Sequence, residues 1–424
     1  MPAYALILNN HGEPVFYQPI DPVPAILDFK VQPNGQMSFY NPHPQKRVVE
    51  VWDETYQIVH TYRPCNGYQI DRHDSYIMAD GRALLLAAEY RPVDMSQYVA
   101  GGDPNAIVKG CVIQEVDAAG LVLWQWLSLD HIPPTDSVVD LTSHLINYIH
   151  CYSLNLDDDG NILLSSRHLH EVTKISRQTG EIIWRLGGKG NDFTFVNDPH
   201  EGFFFQHDAR RLANGNITVY DNRTDTDPSF FSRGVEYSLD LAKMEATMVW
   251  QYINTPVTYA GAMGNMQRLP GGNSLIGWGF SSAPLITEVT PAGEKVFELS
   301  TAQPGASYRA FRYPWEGHPS WAPALVARSA GPLKIRLYFS WNGATEIASY
   351  RIYGDTHPVP ATLLAEVPRD GFETSYLFEA SGPGLYYFRV MAVDKEGKPT
   401  LYSPSVFMVA GKNPQLFPLM MAGD

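Results

Sequence analysis

Five times along this chain a polar turn ending in glycine leads into a short apolar strand: Pro33-Asn34-Gly35, Ala79-Asp80-Gly81, Asp158-Asp159-Gly160, Ala213-Asn214-Gly215 and Pro270-Gly271-Gly272. After each comes a strand, a turn and a strand that tends to carry a late Trp, as in VIQEVDAAGLVLWQW (112–126), VTKISRQTGEIIWRL (172–186), VEYSLDLAKMEATMVWQY (235–252) and ITEVTPAGEKVFEL (286–299). VVEVWDETYQIVHTY (48–62) fits the same pattern. Asn-Gly and Asp-Gly supply the positive φ that tight hairpins demand. The apolar period is two rather than 3.6, which excludes helical repeats. A four-stranded meander recurring roughly every 55 to 75 residues is the signature of propeller blades. The hairpin unit YALILNNHGEPVFYQP (4–19) lacks its own first half. It is expected to complete a sixth blade with the strand near Tyr308–Arg312 and so remove exposed sheet edges. The expected fold class is all-β, a six-bladed β-propeller over residues 1–325, with seven blades as the fallback.

From about residue 326 the pattern changes to alternating strands between Gly/Pro turns: PLKIRLYFSWNG, IASYRIYGD, TSYLFEA, GLYYFRVMAVDKEG and SPSVFMV. This stretch, 326–413, resembles a fibronectin type III sandwich, with Trp341 at the place of the inner-strand tryptophan and Tyr386 or Tyr387 at that of the tyrosine corner. Residues 414–424 read as a C-terminal tail.

Composition narrows the partners. Hydrophobic residues make up 44% and charged residues 18% of the 424, too apolar for a disordered chain. The formal charge is −14 and no Lys/Arg cluster is present, so a phosphate backbone finds no counter-charge and nucleic acid is not an expected partner. No apolar run approaches ~18 residues, so no membrane insertion is expected. The start, MPAYALILNNHGEP, lacks a signal-peptide pattern, which leaves a cytoplasmic protein or a mature exported chain with an added Met1. Three cysteines, Cys65, Cys111 and Cys151, allow one bridge, although free buried thiols are the preferred expectation.

In a propeller the residues just before each innermost strand converge on the axis. Here those positions hold Asp71, His73 and Asp74; Tyr148, His150 and Tyr152; Gln206, His207 and Asp208; and Asn265 and Gln267. A lone histidine is most often structural, but three at equivalent repeat positions argue for a set. LLSSRHLHEVTKI (163–175) adds Arg167, whose guanidinium can grip an oxyanion bidentately, with His168 and His170 on the opposite strand face.

The segments QHDARRLANGNITVYDN (206–222), SSRH (165–168), TGEIIWRLGG (179–188) and SYRAFRYPW (307–315) resemble the arylsulfate sulfotransferase family over about residues 4–320. The resemblance implies that His207 accepts the sulfuryl group, that His150 is the second histidine, and that Arg167 and His168 are the Arg-His pair of the family's Ser-Ser-Arg-His motif. Tyr152 stands where the family carries Asn. The expected activity is transfer from an aryl sulfate to a phenol through a sulfohistidine. Both partners are small molecules, and no nucleotide is implied because GGKGND (187–192) lacks the Walker spacing. His73, Tyr148, Tyr152, Asn265 and Trp278 are the expected substrate contacts. An exported location follows from the resemblance alone.

Two other readings stay open. Asp71, Asp74, Asp208, Asn222 and Asn265 offer oxygen ligands for a calcium-dependent propeller hydrolase or lactonase, and zinc would fit His150, His168 and His207; otherwise no cofactor is expected. A non-catalytic binding protein is the third reading, since a fold alone does not imply catalysis. The insertion 127–147 is long enough to act as a lid over the channel mouth.

Overall fold

Each glycine turn singled out in the sequence closes a tight hairpin. Gly35, Gly81, Gly160, Gly215 and Gly272 all take positive φ, from 79° to 88°. Each donates its amide to the carbonyl three residues back at 2.8–3.0 Å. A residue bearing Cβ would be strained in that left-handed region. The structure is a computed structural model that describes residues 3–20, 27–223, 231–281, 283–301 and 305–411.

Among these residues the turns generate five four-stranded antiparallel meanders. Sheet 1 runs Leu27–Val31, Met37–Asn41, Val48–Trp52, Ile58–Tyr62. Sheet 2 runs Gln69–Ile77, Ala83–Val93, Ala106–Val116, Val122–Leu127, with Leu145–Asn147 added in parallel to its third strand. Sheet 3 runs Cys151–Leu156, Ile162–Ser166, Glu171–Ile175, Ile182–Gly187. Sheet 4 runs Asp208–Arg211, Ile217–Asp221, Arg233–Asp240, Glu245–Ile253, with Thr194–Val196 parallel to its outer strand. Sheet 5 runs Asn265–Arg268, Ser274–Gly277, Ile286–Val289, Lys295–Leu299.

The first strand of each sheet lies beside the first strand of the next, from sheet 1 through sheet 5. Strand alternation fills the space between the blades. Leu84 and Leu86 face the cluster shared with Leu154 and Leu164 of sheet 3, while Ala83 and Leu85 turn to Val49 and Val51 of sheet 1. Leu163, one residue before Leu164, packs instead with Ala209 and Val219 of sheet 4. A period of two thus gives each blade two apolar faces.

The axis is filled by charge. Lys30 of sheet 1 pairs with Asp28 at 2.7 Å and with Asp74 of sheet 2. Arg210 of sheet 4 reaches Asp74 at 2.7 Å and Asp208 at 2.8 Å. Arg309 contacts Asp28, Asp74 and Asp208 at 2.7, 3.2 and 3.5 Å, and its side chain is 1% exposed. Three carboxylates meet three cations, the balance that burial of such groups requires. Burial and then Asp74 push Asp28 up to about 6. Burial would also raise Asp74, yet Arg210, Lys30 and Arg309 hold it far below the carboxylate range.

Cys111 of sheet 2 and Cys151 of sheet 3 form a disulfide with Cα atoms 6.4 Å apart, within the span a bridge allows. This corrects the expectation of free buried thiols for that pair, because the two blades bring residues 40 apart in sequence face to face. Cys65 is free.

The second compact unit comprises Met1–Asp21, Trp52–Ile58 and Pro314–Asp424, and the five-sheet unit comprises Pro22–Val51 and Val59–Tyr313. The N-terminal hairpin therefore differs from expectation. Ala3–Leu8 and Pro14–Ile20 pair only with each other. Tyr308–Arg312 has no strand; the side chains of Asn265 and Gln267 bind the backbone of Ala310 and Arg312 instead. The reason is aromatic packing. Phe16 stacks on Tyr56 at 4.1 Å and lies 6.4 Å from Trp321, and Gly343 donates to the Val15 carbonyl.

Within this unit a three-stranded sheet (Ala324–Gly331, Lys334–Ser340, Thr374–Glu379) shares one core with a sheet built on Ile347–Asp355, Leu363–Pro368, Gly384–Asp394, Pro399–Tyr402 and Val406–Ala410. Trp341 is in that core, and the Tyr386 hydroxyl donates to the Gly382 carbonyl at 3.0 Å. The expected tail 414–424 lies outside the described residues. Among the described residues no helix is long and apolar enough to cross a membrane.

Candidate active site

Three histidines from three blades meet around one tyrosine ring, and a fourth packs against one of them. Tyr152, the second residue of the inner strand of sheet 3, stacks on His207 with centroids 3.7 Å apart. It meets His73 edge-on at 4.4 Å and His150 at 4.6 Å. His150 in turn lies 5.1 Å from His73 and 4.8 Å from His168. The repeat register delivers three of these. His73 is on the inner strand of sheet 2, His150 immediately precedes that of sheet 3, and His207 immediately precedes that of sheet 4. Arg167 and His168 come from the short 3-10 turn Arg167–Leu169 that joins the second and third strands of sheet 3.

The backbone is held in unusual conformations here. His150, His170 and Phe205 have φ of 49°, 55° and 52°, in the left-handed region that costs a non-glycine residue about 1–3 kcal/mol. His150 thereby breaks the strand alternation before Cys151. Tyr148 is fully buried in the core between sheets 2 and 3, and Asn147 comes to the histidines.

Each histidine is oriented by a specific partner. The Asn222 amide nitrogen donates to the carbonyls of Ala260 and Met263 at 2.7 and 2.9 Å, which fixes its oxygen toward His207 Nδ1 at 2.6 Å. His207 Nδ1 must then carry the proton, and Nε2 keeps its lone pair. The His168 Nδ1 donates to the Asn147 carbonyl at 2.6 Å, and its Nε2 faces Arg167 Nη1 at 3.3 Å. The Asn147 amide lies 2.8 Å from His150 Nδ1. His73 Nδ1 pairs with Asp71 at 2.5 Å, with Lys109 at 3.4 Å from the same carboxylate. Gln206 ties the chain before His207 to sheet 3 through Ser165 Oγ and the carbonyls of Ser166 and Glu171. Arg309 donates to the Tyr152 carbonyl at 2.8 Å and lies 3.4 Å from that of His207.

Burial keeps His150, His168 and His207 neutral. It lowers His150 to about 2, with His73 and His168 adding to the effect, and lowers His168 to about 4. His207 is 1% exposed and is held well below the usual histidine range, by burial first and by Arg167 second. Burial pushes the Tyr152 hydroxyl up to about 12, so it stays protonated. Burial alone would raise Asp71, but His73 and Lys109 bring it far down. Arg167 is held by the Gly261 carbonyl at 3.1 Å and by the face of Phe205 at 4.7 Å, with Nε buried and unpartnered. His150 Nε2 is likewise buried without a partner. Each such atom costs about 1–3 kcal/mol until something meets it.

The expected set divides accordingly. His207, His150, His168, Arg167, His73 and Tyr152 come together. Tyr148, Asn265 and Trp278 do not join these ring contacts. Asn265 is consumed by both backbone groups of Ala310, while Trp278 packs with Tyr220 and Tyr252 and donates to Thr287. The oxygen ligands weighed for calcium are engaged elsewhere: Asp71 with His73, Asp74 and Asp208 with arginines, Asn222 with His207. Among the described residues no three His, Cys, Asp or Glu side chains gather as a metal-ligand group. Sequence reasoning missed Asn147, Arg309 and the orienting role of Asn222. Their partners are far away in sequence or displaced by the turn at His150. The insertion 127–147 packs on the turn that carries Arg167 and His168. Ser137 Oγ donates to the Tyr148 carbonyl at 2.6 Å, and the Val138 amide to the His168 carbonyl at 2.9 Å.

Fold and cluster together define a β-propeller protein with a site of buried histidines beside one arginine. The sequence profile described as arylsulfotransferase (ASST) matches residues 47–302, more than half of the chain. The chain belongs to the arylsulfotransferase family, and sulfuryl transfer involving small aryl molecules is the general activity that goes with membership. No curated protein matches the sequence. Among solved structures, a Bacteroides caccae protein of unknown function is similar at 14% identity and a TM-score of 0.43, covering 70% of this chain and 90% of that one. The extracellular domain of the two-component system BT3049 from B. thetaiotaomicron is 9% identical at 0.39, covering 96% and 54%. A catalytically inactive variant of virginiamycin B lyase from Staphylococcus aureus, crystallised with quinupristin, is 12% identical at 0.37, covering 91% and 94%.

Proposed function

We propose that the chain transfers a sulfuryl group from an aryl sulfate ester to a phenolic acceptor, without a nucleotide, through a sulfohistidine on His207. The state of His207 carries this reading: a neutral, buried imidazole with Nδ1–H tied to Asn222 and Nε2 left with its lone pair. A neutral imidazole is an effective nucleophile near pH 7. In the first half-reaction Nε2 bonds to sulfur as the bond from sulfur to the aryl oxygen breaks, and His168 or His150, having taken a proton from solvent as the sulfate entered, gives that proton to the departing oxygen. In the second half the acceptor hydroxyl returns a proton to that histidine, its oxygen bonds to sulfur, and the nitrogen–sulfur bond breaks. Arg167 holds the sulfuryl oxygens through both steps, so its charge is in place before the transition state forms. An entering sulfate monoanion adds the negative charge that raises the proton affinity of the neutral histidines beside it.

We infer that the protein works in an oxidising, extracytoplasmic compartment, supported by the Cys111–Cys151 bridge. The shared core of the two C-terminal sheets, Trp341 within it and the Tyr386 bond support a fibronectin type III-like module there.

The test is incubation with 4-nitrophenyl sulfate, with and without phenol, following nitrophenol release and intact mass. Release stimulated by phenol, with one sulfuryl group on the wild type and none on His207→Ala, is the expected result. No release and no adduct across a panel of aryl sulfates would overturn the proposal. Release without phenol stimulation or adduct would point to a hydrolase.

A further inference from the structure

Behind the turn that carries Arg167 lies an open cavity of about 520 Å³ that does not include His207. Its walls are Phe193, Phe195, Phe203 and Phe204, with His170 among them. It exists because sheet 3 ends in two glycines. A Cβ on Gly187 would lie 2.5 Å from the His170 carbonyl, and one on Gly188 would lie 2.2 Å from that of Leu169. The two segments can therefore run close together and leave the space open beside them. His170 packs edge-on against Phe204 at 5.2 Å and Phe205 at 4.3 Å, and the Arg167 guanidinium lies over the Phe205 ring at 4.7 Å. His170 and Phe205 thus stand between the cavity and the arginine.

We propose that this cavity is a binding site for a neutral hydroxyarene, separate from the histidine cluster. Its volume lies in the range of small-molecule sites, and aromatic walls favour an aromatic occupant through offset or edge contacts. His170 supplies the polar contact. Burial keeps its imidazole neutral near pH 7, so one nitrogen donates and the other accepts. A sulfated arene is disfavoured. Lys189, the cation on the wall, is committed to the carbonyls of Thr135 and Ser137 at 2.9 and 2.5 Å, and Glu201 adds a negative charge at the rim.

The proposal does not depend on sulfuryl transfer, so it is tested by equilibrium binding. 2-Naphthol, naphthalene and 2-naphthyl sulfate are titrated calorimetrically into the full chain, into His207→Ala, and into two cavity variants. Thr194→Trp fills the cavity from an exposed rim position. His170→Asn removes the imidazole while keeping a residue that tolerates the left-handed backbone. The expected result is saturable 2-naphthol binding to the wild type and His207→Ala alike. Naphthalene should bind at least tenfold more weakly, both cavity variants should lose tenfold or more in affinity for 2-naphthol, and binding of 2-naphthyl sulfate at the histidine cluster should be unchanged by them. The proposal is overturned by absence of saturable 2-naphthol binding, by unchanged 2-naphthol affinity in Thr194→Trp and His170→Asn, or by a tenfold loss of 2-naphthyl sulfate affinity in those two variants.

Discussion

Replacing Asn222 with alanine removes the oxygen that accepts the His207 Nδ1 proton at 2.6 Å, along with an amide that satisfies two backbone carbonyls. In the wild type that bond selects the tautomer with a bare Nε2. In the variant the Phe205 carbonyl, 3.2 Å from Nδ1, is the remaining acceptor, so orientation is weakened rather than abolished. A buried hydrogen bond of this kind contributes about 1–2 kcal/mol, and each 1.4 kcal/mol is about tenfold in rate. The expected loss in kcat/KM is therefore about 5- to 30-fold, well short of the complete loss expected for His207→Ala. Stability falls as well. The Met263 carbonyl is left without its donor, whereas Ala260 retains Ser232 Oγ at 3.3 Å, so the cost is about 1–3 kcal/mol. The assay is the rate of sulfuryl adduct formation on the intact protein at 4-nitrophenyl sulfate well below saturation, with a urea melt on the same preparation. Slower adduct formation in a folded variant is the expected outcome. A folded Asn222→Ala with wild-type adduct kinetics would refute the tautomer reasoning.

Arg167→Lys keeps the charge but loses the planar fork, and should lower kcat/KM by about 10²–10³ with KM less affected; steady-state kinetics check this. The buried neutral histidines make stability depend on acid. His168 titrates near 4 when folded and near 6.5 when unfolded, so the unfolded chain binds more protons between those values. Stability should be fully present above pH 6.5 and fall as pH drops toward 4, which thermal melts across that range would reveal. Reducing the Cys111–Cys151 bridge frees a loop of 40 residues and should cost about 4 kcal/mol by chain entropy, seen as a lower urea midpoint for the Cys111→Ser/Cys151→Ser pair.

The meanders were legible because each repeats a glycine turn before an apolar strand of period two. The same register placed His150 and His207 just before inner strands and His73 within one. Legibility stopped where local geometry broke the period. The left-handed His150 sends Tyr148 into the core and brings Asn147 to the rings, a switch no alternation rule anticipates. Asn265 looked equivalent to the histidines by position. The stretch around Ala310 takes its hydrogen bonds, a pairing across 45 residues without a strand of its own. The N-terminal hairpin has blade-like alternation, and contacts distant in sequence, such as those of Phe16 with Tyr56 and Trp321 and of Val15 with Gly343, assign it to the other unit.

Arg309 sits near the end of the five-sheet unit, while the carboxylates it joins come from much earlier, at Asp28, Asp74 and Asp208. On a ribosome the strands carrying all three would emerge well before their shared guanidinium. Until it arrives, Lys30 and Arg210 must screen three carboxylates converging on the axis. The residue that completes the charge balance also grips the backbone of Tyr152 and lies beside that of His207, so the site is locked only when the last stretch of the ring has been made.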